Sequence, residues 1–498
     1  MSETTVAFPA TPSGEPARPF WGHPRMAWML FAVTVGFNFA FYGFRAFLAP
    51  YAAETFFANL PHADALKQAD FLFAGFGSLN YALAILGGWV ADEVLGEVQS
   101  LRLSLWMIVL ALVAMAVPNE QVFLLGLAFF VVATGLSIPL TVLIGRNYVT
   151  EDPRRESAYT LYYLAINLGG FIAPFICAGW IGATYGYRWG FIAAAVGEVI
   201  VAAIFEWKHR RVIGAPNPPR FKHKWSSPVV VIVAIALTFP AAVMLAHPDA
   251  MNWFVGGLGV LLLLYFVVSS VRRGDRVQSH RYIALLLLFI AMVVYWALSL
   301  LSGSALNFFA RDYVAPLWHG HLFGLLSWNY TLFQSANSLY ILIFAVFVAM
   351  LWPWLDKHRA NPSTPRKFGI GLLLIALGYG VLWLAMARWQ LPGGNIAAWT
   401  LLLYYFLATM GELALSPIGY ALIGKLAAPD EASLAMGGWF FGVSVSYNLA
   451  GQISAFTTSG GIEPYARVAE WLLIGGGIIA VIYLLASPWI LKLMHGVR

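Results

Sequence analysis

The chain has 498 residues, 60% of them hydrophobic and only 10% charged, whereas soluble domains carry about 25% charged residues, so a soluble multidomain protein is excluded. The formal net charge of +6 comes from 29 Lys and Arg against 23 Asp and Glu. The basic residues lie in short connections between apolar segments rather than along a stripe, which excludes nucleic-acid binding, and the single cysteine, Cys177, excludes a disulfide framework and a cysteine-based metal site.

In chain order, residues 1–25 lack an apolar core and so form a polar tail, not a secretory signal. Six apolar runs follow at 26–48, 71–90, 103–117, 122–143, 161–180 and 189–207, each long enough to be read as a membrane helix. They make an N-terminal six-helix bundle over 26–207. A basic linker at 208–228 breaks helix with Pro, Asn and Gly. Runs at 229–245 and 253–271 contain no ionisable residue and read as an inserted, lipid-facing helix pair spanning 229–271. A short linker at 272–281 leads to a C-terminal six-helix bundle over 282–498, with runs at 282–305, 328–352, 370–387, 397–418, 434–456 and 471–491. The expected architecture is an all-α membrane protein of 14 spans.

Loop charge tests that count, because one missed or invented helix inverts every later loop. With the N-terminus in the cytoplasm, 23 of the 29 basic residues fall inside. Only Arg45, Lys67, Arg188, Arg311, Arg388 and Arg467 fall outside. This asymmetry implies a multi-pass protein of the inner (plasma) membrane with both termini cytoplasmic. Six plus six helices about a basic central loop is the pattern of the major facilitator fold, whose halves rock about a central site.

Five segments then resemble the proton-dependent oligopeptide transporter family, a branch of the major facilitators whose bacterial members carry an extra helix pair. They are F-Y-G-F-R from Phe41, Y-A-L-A-I-L-G-G-W-V-A-D from Tyr81, Y-Y-L-A-I-N-L-G-G-F-I-A-P from Tyr162, F-Q-S-A-N-S-L from Phe333 and G-E-L-A-L-S-P-I-G from Gly411. The resemblance implies uptake of di- and tripeptides with protons. It assigns Glu412, with Asn167 and Asn337, to the peptide amine, and Tyr42, Tyr81, Trp296 and Trp439 to the aromatic lining.

The other half of the family's pattern is missing. Thr34, Phe37 and Asn38 occupy the positions of a first-helix Glu-x-x-Glu-Arg run, Ile138 replaces a fourth-helix Lys, and Leu300 replaces a seventh-helix acid. A substrate carboxylate placed against Ile138 and Asn38 has no cationic partner, and a buried unpaired charge costs several kcal/mol. The cargo therefore lacks that carboxylate or another group binds it, and proton coupling does not follow the usual route.

Intramembrane ionisable groups are costly and mark function by default. Glu412 is a candidate for both amine binding and proton coupling. Glu198, in A-A-V-G-E-V-I-V, reads first as a structural hydrogen-bonding group and second as a proton carrier. Arg45, ending the first helix, reads as an interface residue or a gate, and Asp92, followed by Glu93 and Glu97 where a basic residue is usual, as a gating contact with an open partner. Asn38 and Ser444 supply neutral hydrogen-bonding groups to the candidate substrate site, while Asn448 fits an ordinary contact between helices. His319 and His321 in W-H-G-H lack a third ligand, so no metal and no cofactor is expected.

These readings give a secondary active or facilitative transporter of small peptides or peptide-like amine-bearing compounds, working by alternating access as a monomer in the lipid bilayer, with protons as a candidate partner. The alternative is a transporter of the same fold for a sugar-like, nucleoside-like or drug-like solute. An enzyme would need a nucleophile, metal set or acid–base pair facing one cavity, and dispersed Glu412 and Glu198 do not make one.

Overall fold

Long apolar stretches dictate helix here, because backbone polar groups in hydrocarbon must be satisfied within their own segment. The computed structural model describes residues 19–149, 152, 154–214, 218–322 and 326–497. The rest of the expected N-terminal tail, and part of the central linker, lie outside the described residues. Among the described residues, thirteen helical segments are long and apolar enough to cross a membrane. They are α1 (Arg25–Thr55), α2 (His62–Leu95), α3 (Glu97–Met115), α4 (Glu120–Gly145), α5 (Arg154–Tyr185), α6 (Tyr187–Arg211), α7 (Ser226–Ala246), α8 (Pro248–Arg273), α9 (Arg276–Tyr313), α10 (Tyr330–Lys357), α11 (Thr364–Arg388), α12 (Ala398–Leu426) and α14 (Glu463–Leu493). The fourteenth helix, α13 (Ala432–Ser454), is 23 residues long and diluted by Gly, Ser and Asn. Two short β-hairpins, Pro19–Phe20 with His23–Pro24 and His321–Leu322 with Leu326–Ser327, are the described strands.

Local chemistry sets the helix ends. Asn119 caps α4 by accepting from the Val122 amide at 3.0 Å, and Asp275 caps α9 by accepting from Val277 at 2.9 Å. Gly96 and Gly186, at φ 84° and 95°, turn the chain sharply between α2 and α3 and between α5 and α6, a backbone geometry that favours glycine. The α2 helix closes in a π-helical stretch at Ala91–Leu95, and α5 contains another at Pro174–Gly182, where Pro174 removes a backbone donor.

The chain forms two compact units, residues 1–47 with 83–246 and residues 48–82 with 247–498. In the first unit, α1 packs on α5 and α6, α3 packs on α4 and α6, and α7 lies on α4. Small residues allow the closest approaches: a Cβ at Gly87 would sit 2.1 Å from the Gly135 backbone, and one at Gly169 would sit 2.3 Å from the Val35 carbonyl. In the second unit, α11 packs on α12 and α14, α13 packs on residues 62–82 of α2 and on α9, and α8 lies along α13 and α9. The inserted helices expose most of their surface, as an apolar face meeting lipid would.

Candidate functional site

In the second unit, Glu412 sits midway along α12 and is 8% exposed. Asn337, near the start of α10, donates its side-chain amide to Glu412 Oε2 at 2.9 Å and lies 3.1 Å from Thr409 Oγ1. Thr409 in turn donates to the Tyr405 carbonyl at 2.7 Å, which fixes its hydroxyl one turn before Glu412. A glycine pair lets α11 and α12 touch beside the carboxylate, since a Cβ at Gly411 would meet the Gly371 carbonyl at 2.7 Å and one at Gly371 would meet the Gly411 carbonyl at 2.9 Å. The Tyr295 ring closes on the same spot, 3.1 Å from a Cβ at Gly411, and its hydroxyl donates to the Ala408 carbonyl at 2.5 Å. Arranged this way, a carboxylate and amide are set among four helices and can accept hydrogen bonds from, and pair with, a cationic amine.

Of the other predicted residues in this unit, Trp296 is half-buried edge-to-face against Tyr295. Tyr81 stacks on Tyr447, with ring centroids 5.9 Å apart, and the Tyr447 ring fills the space over Gly77. Ser444 accepts at its carbonyl from Ser78 at 2.9 Å, while its own hydroxyl is buried with no hydrogen-bond partner among the described residues. Trp439 is buried, packed over Gly419 and Phe368, and also lines an apolar cleft of about 420 Å³ among α8, α9 and α13.

In the first unit, Asn38 and Asn167 each donate back to their own helix, to the Thr34 and Tyr163 carbonyls at 2.8 and 2.9 Å. They stand on α1 and α5, whose backbones meet at Gly169 next to Asn38. Tyr42 packs edge-on to Phe41, and the Arg45 guanidinium lies 5.7 Å from the Tyr42 ring centroid. Glu198 is fully buried on α6, and neither carboxyl oxygen has a hydrogen-bond partner among the described residues. The structural hydrogen bond expected for it is not found among the described residues. Asp92 is exposed and makes no hydrogen bond or ion pair among the described residues. The available cation, Arg146, instead grips Glu97 with two bonds of 2.5 and 2.6 Å. His319 is exposed, and the His321 side chain lies outside the described residues.

Several polar groups were invisible in the sequence pattern. Asn252, just outside the predicted apolar run, accepts from Asn448 at 2.6 Å and from Gln452 at 3.0 Å, tying α8 to α13. At the other end of α8, Glu431 accepts from Ser269 at 2.6 Å, Tyr265 at 3.0 Å and Tyr282, and pairs with Arg273 at 3.1 Å. Burial works to raise the Glu431 pKa, but these four donors outweigh it and hold it down at about 2. Asp70, wholly buried on α2, accepts from Ser454 of α13.

Residues 100–471 match the family model described as the POT family. An uncharacterised transporter, YclF, of Bacillus subtilis is 31% identical, with 97% of each chain covered. The peptide transporter YePEPT of Yersinia enterocolitica is 29% identical, with 98% of each covered. A crystal structure of a peptide transporter POT in complex with sulfate superposes with a TM-score of 0.83 at 27% identity, covering 97% of this chain and 98% of that one. The match over most of the chain, with a nearly all-helical fold of membrane-length segments, makes this an integral membrane transporter of the major facilitator type rather than an enzyme: the chain belongs to the POT family, the proton-dependent oligopeptide transporters.

Proposed function

We propose that the protein carries small peptides, or peptide-like compounds bearing a free amine, across the plasma membrane by alternating access. The observation that carries this reading is the Glu412 carboxylate, buried on α12 and held by Asn337. Such a group pairs with an ammonium at low dielectric far better than in water. Asn167, Asn38 and Ser444 supply neutral hydrogen bonds, and Tyr42, Tyr81, Trp296 and Trp439 supply aromatic surface. At the positions that hold cations and acids in the family, Thr34, Phe37, Asn38, Ile138 and Leu300 are neutral, which favours cargo whose far end carries no obligatory negative charge. Arg45 and Asp92 are the candidate gating groups.

The two six-helix bundles, 26–207 and 282–498, form the moving halves, and the pair at 229–271 is an appendage. Both termini lie in the cytoplasm, following the loop charges, and the protein works as a monomer. The test is counterflow in liposomes: vesicles loaded with unlabelled dipeptide should accumulate labelled dipeptide. Exchange of a nucleoside, sugar or drug with no dipeptide movement would replace this reading with that of a non-peptide carrier.

A further inference from the structure

The buried face of α6 is a stripe at helical spacing formed by Phe191, Ala194, Ala195, Glu198, Val201, Ala202 and Phe205. Glu198 is its one polar member. Side-chain packing fixes the register of this stripe against α1. Phe191 packs on Phe44 and Phe47, with centroids 6.1 and 4.9 Å apart. Further along, Gly197 lies against the Phe39 ring, and Val201 fills the space over Gly36. The helices run antiparallel, so Glu198 stands level with Phe37 and Asn38. Those are the positions at which the family's first helix carries a proton-binding acid and its arginine.

Charged groups on the neighbouring elements do not reach it. The α1 segment from Thr34 to Phe39 has no ionisable side chain, and Arg25 and Arg45 lie at the two ends of its first stretch, Arg25–Arg45. On α3, Glu97 is taken by Arg146, and Arg102 is taken by Glu206 of α6, two turns beyond Glu198. The α5 side presents Cys177, whose sulfur lies over Gly43. On α6 itself, Arg188 and Lys208 are more than two turns away. Among the described residues no hydrogen-bond donor reaches either oxygen of the Glu198 carboxyl. A lone carboxylate costs several kcal/mol in such a place, so in this conformation the group is the neutral acid.

We propose that Glu198 is the proton-carrying carboxyl of this transporter, replacing from α6 the acids missing from α1. It takes a proton onto its carboxylate when the seam between α1 and α6 is hydrated on one side. It stays neutral while the seam is closed, and releases the proton when the seam opens to the other side. Glu412 is thereby left ionised for the amine. This inference rests on the peptide-transport reading, and the experiment separates the two.

Wild-type protein and Glu198→Gln are compared in liposomes in two modes, dipeptide counterflow at equal pH and uptake under an imposed inward proton gradient. The expected result is that the variant keeps counterflow, while its ratio of uptake with the gradient to uptake without it drops to about one, because proton and substrate binding are no longer linked. Gradient stimulation that survives in Glu198→Gln, or is missing from the wild type, overturns the proposal. A wild type that exchanges no dipeptide refutes the peptide reading instead. A second arm needs no substrate: infrared spectra at neutral pH should show a carboxylic-acid carbonyl band that Glu198→Gln removes. A wild type without that band, or a variant that retains it in full, overturns the role of Glu198.

Discussion

The Asn337 amide of α10 donates to Glu412 Oε2 of α12 at 2.9 Å, joining two helices through a buried carboxylate. Replacing Glu412 with Gln keeps the shape and the hydrogen bond but removes the charge. Dipeptide uptake should fall by roughly 10- to 100-fold, the worth of a charge-assisted hydrogen bond. Asn337→Ala, which leaves the charge and removes one donor, should have the smaller effect. Initial-rate uptake in liposomes, at matched protein content, gives both numbers.

The Gly371 and Gly411 backbones are too close for any side chain, with carbonyl contacts of 2.7 to 2.9 Å awaiting an added Cβ. Gly411→Ala should destabilise the protein by about 1–3 kcal/mol through overpacking. Gly475→Ala, in α14, is the control, because nothing lies within 4 Å of its Cβ position. That substitution should be neutral or slightly stabilising. Thermal unfolding in detergent reads both.

Glu97 is 5% exposed and bound by two bonds to Arg146. Removing either partner leaves the other charge half-satisfied, at a cost of about 1–3 kcal/mol. The double variant Glu97→Gln with Arg146→Gln should lose less than the sum of the single variants, with a coupling of about 0.5–3 kcal/mol. Additive losses would show that the pair is not energetically linked.

Glu431 titrates at about 2 in the folded protein, below its ordinary value of 4.5. A depressed acid adds stability that is complete above its unfolded pKa and disappears as pH falls through the folded value. The stability difference between wild type and Glu431→Gln should therefore be full near neutral pH and shrink between 4.5 and about 2. Unfolding midpoints measured across that window check the sign. A gap that widens on acidification would be inconsistent with the cluster of donors seen around this residue.

Most of the helices were legible because hydrocarbon demands about 20 consecutive apolar residues, a strong local signal. Their ends were less so. Hydropathy places the second run at 71–90, but the helix extends over His62–Leu95, because Asp64, Lys67, Asp70, Asp92 and Glu93 look like loop residues in such a pattern. The buried acid Asp70 was lost in that margin, and so was Asn252, one residue outside its run. Contacts such as Glu431 with Ser269 join residues 162 apart and have no periodic signature. Glu412 and Asn337 are 75 residues apart, and only resemblance to a family suggested pairing them. Glu198 was conspicuous as a charge in an apolar helix. Its lack of a partner is a tertiary property that no local pattern encodes.

The central claim is that the Glu412 carboxylate holds the amine end of the cargo while its far end needs no anion. The most direct measurement is competition against labelled-dipeptide counterflow by the same dipeptide, its N-acetyl derivative and its C-terminal amide. The account predicts that the amide competes as well as the free peptide and that the N-acetyl derivative does not compete. Strong competition by the N-acetyl derivative, together with failure of the amide, would contradict it.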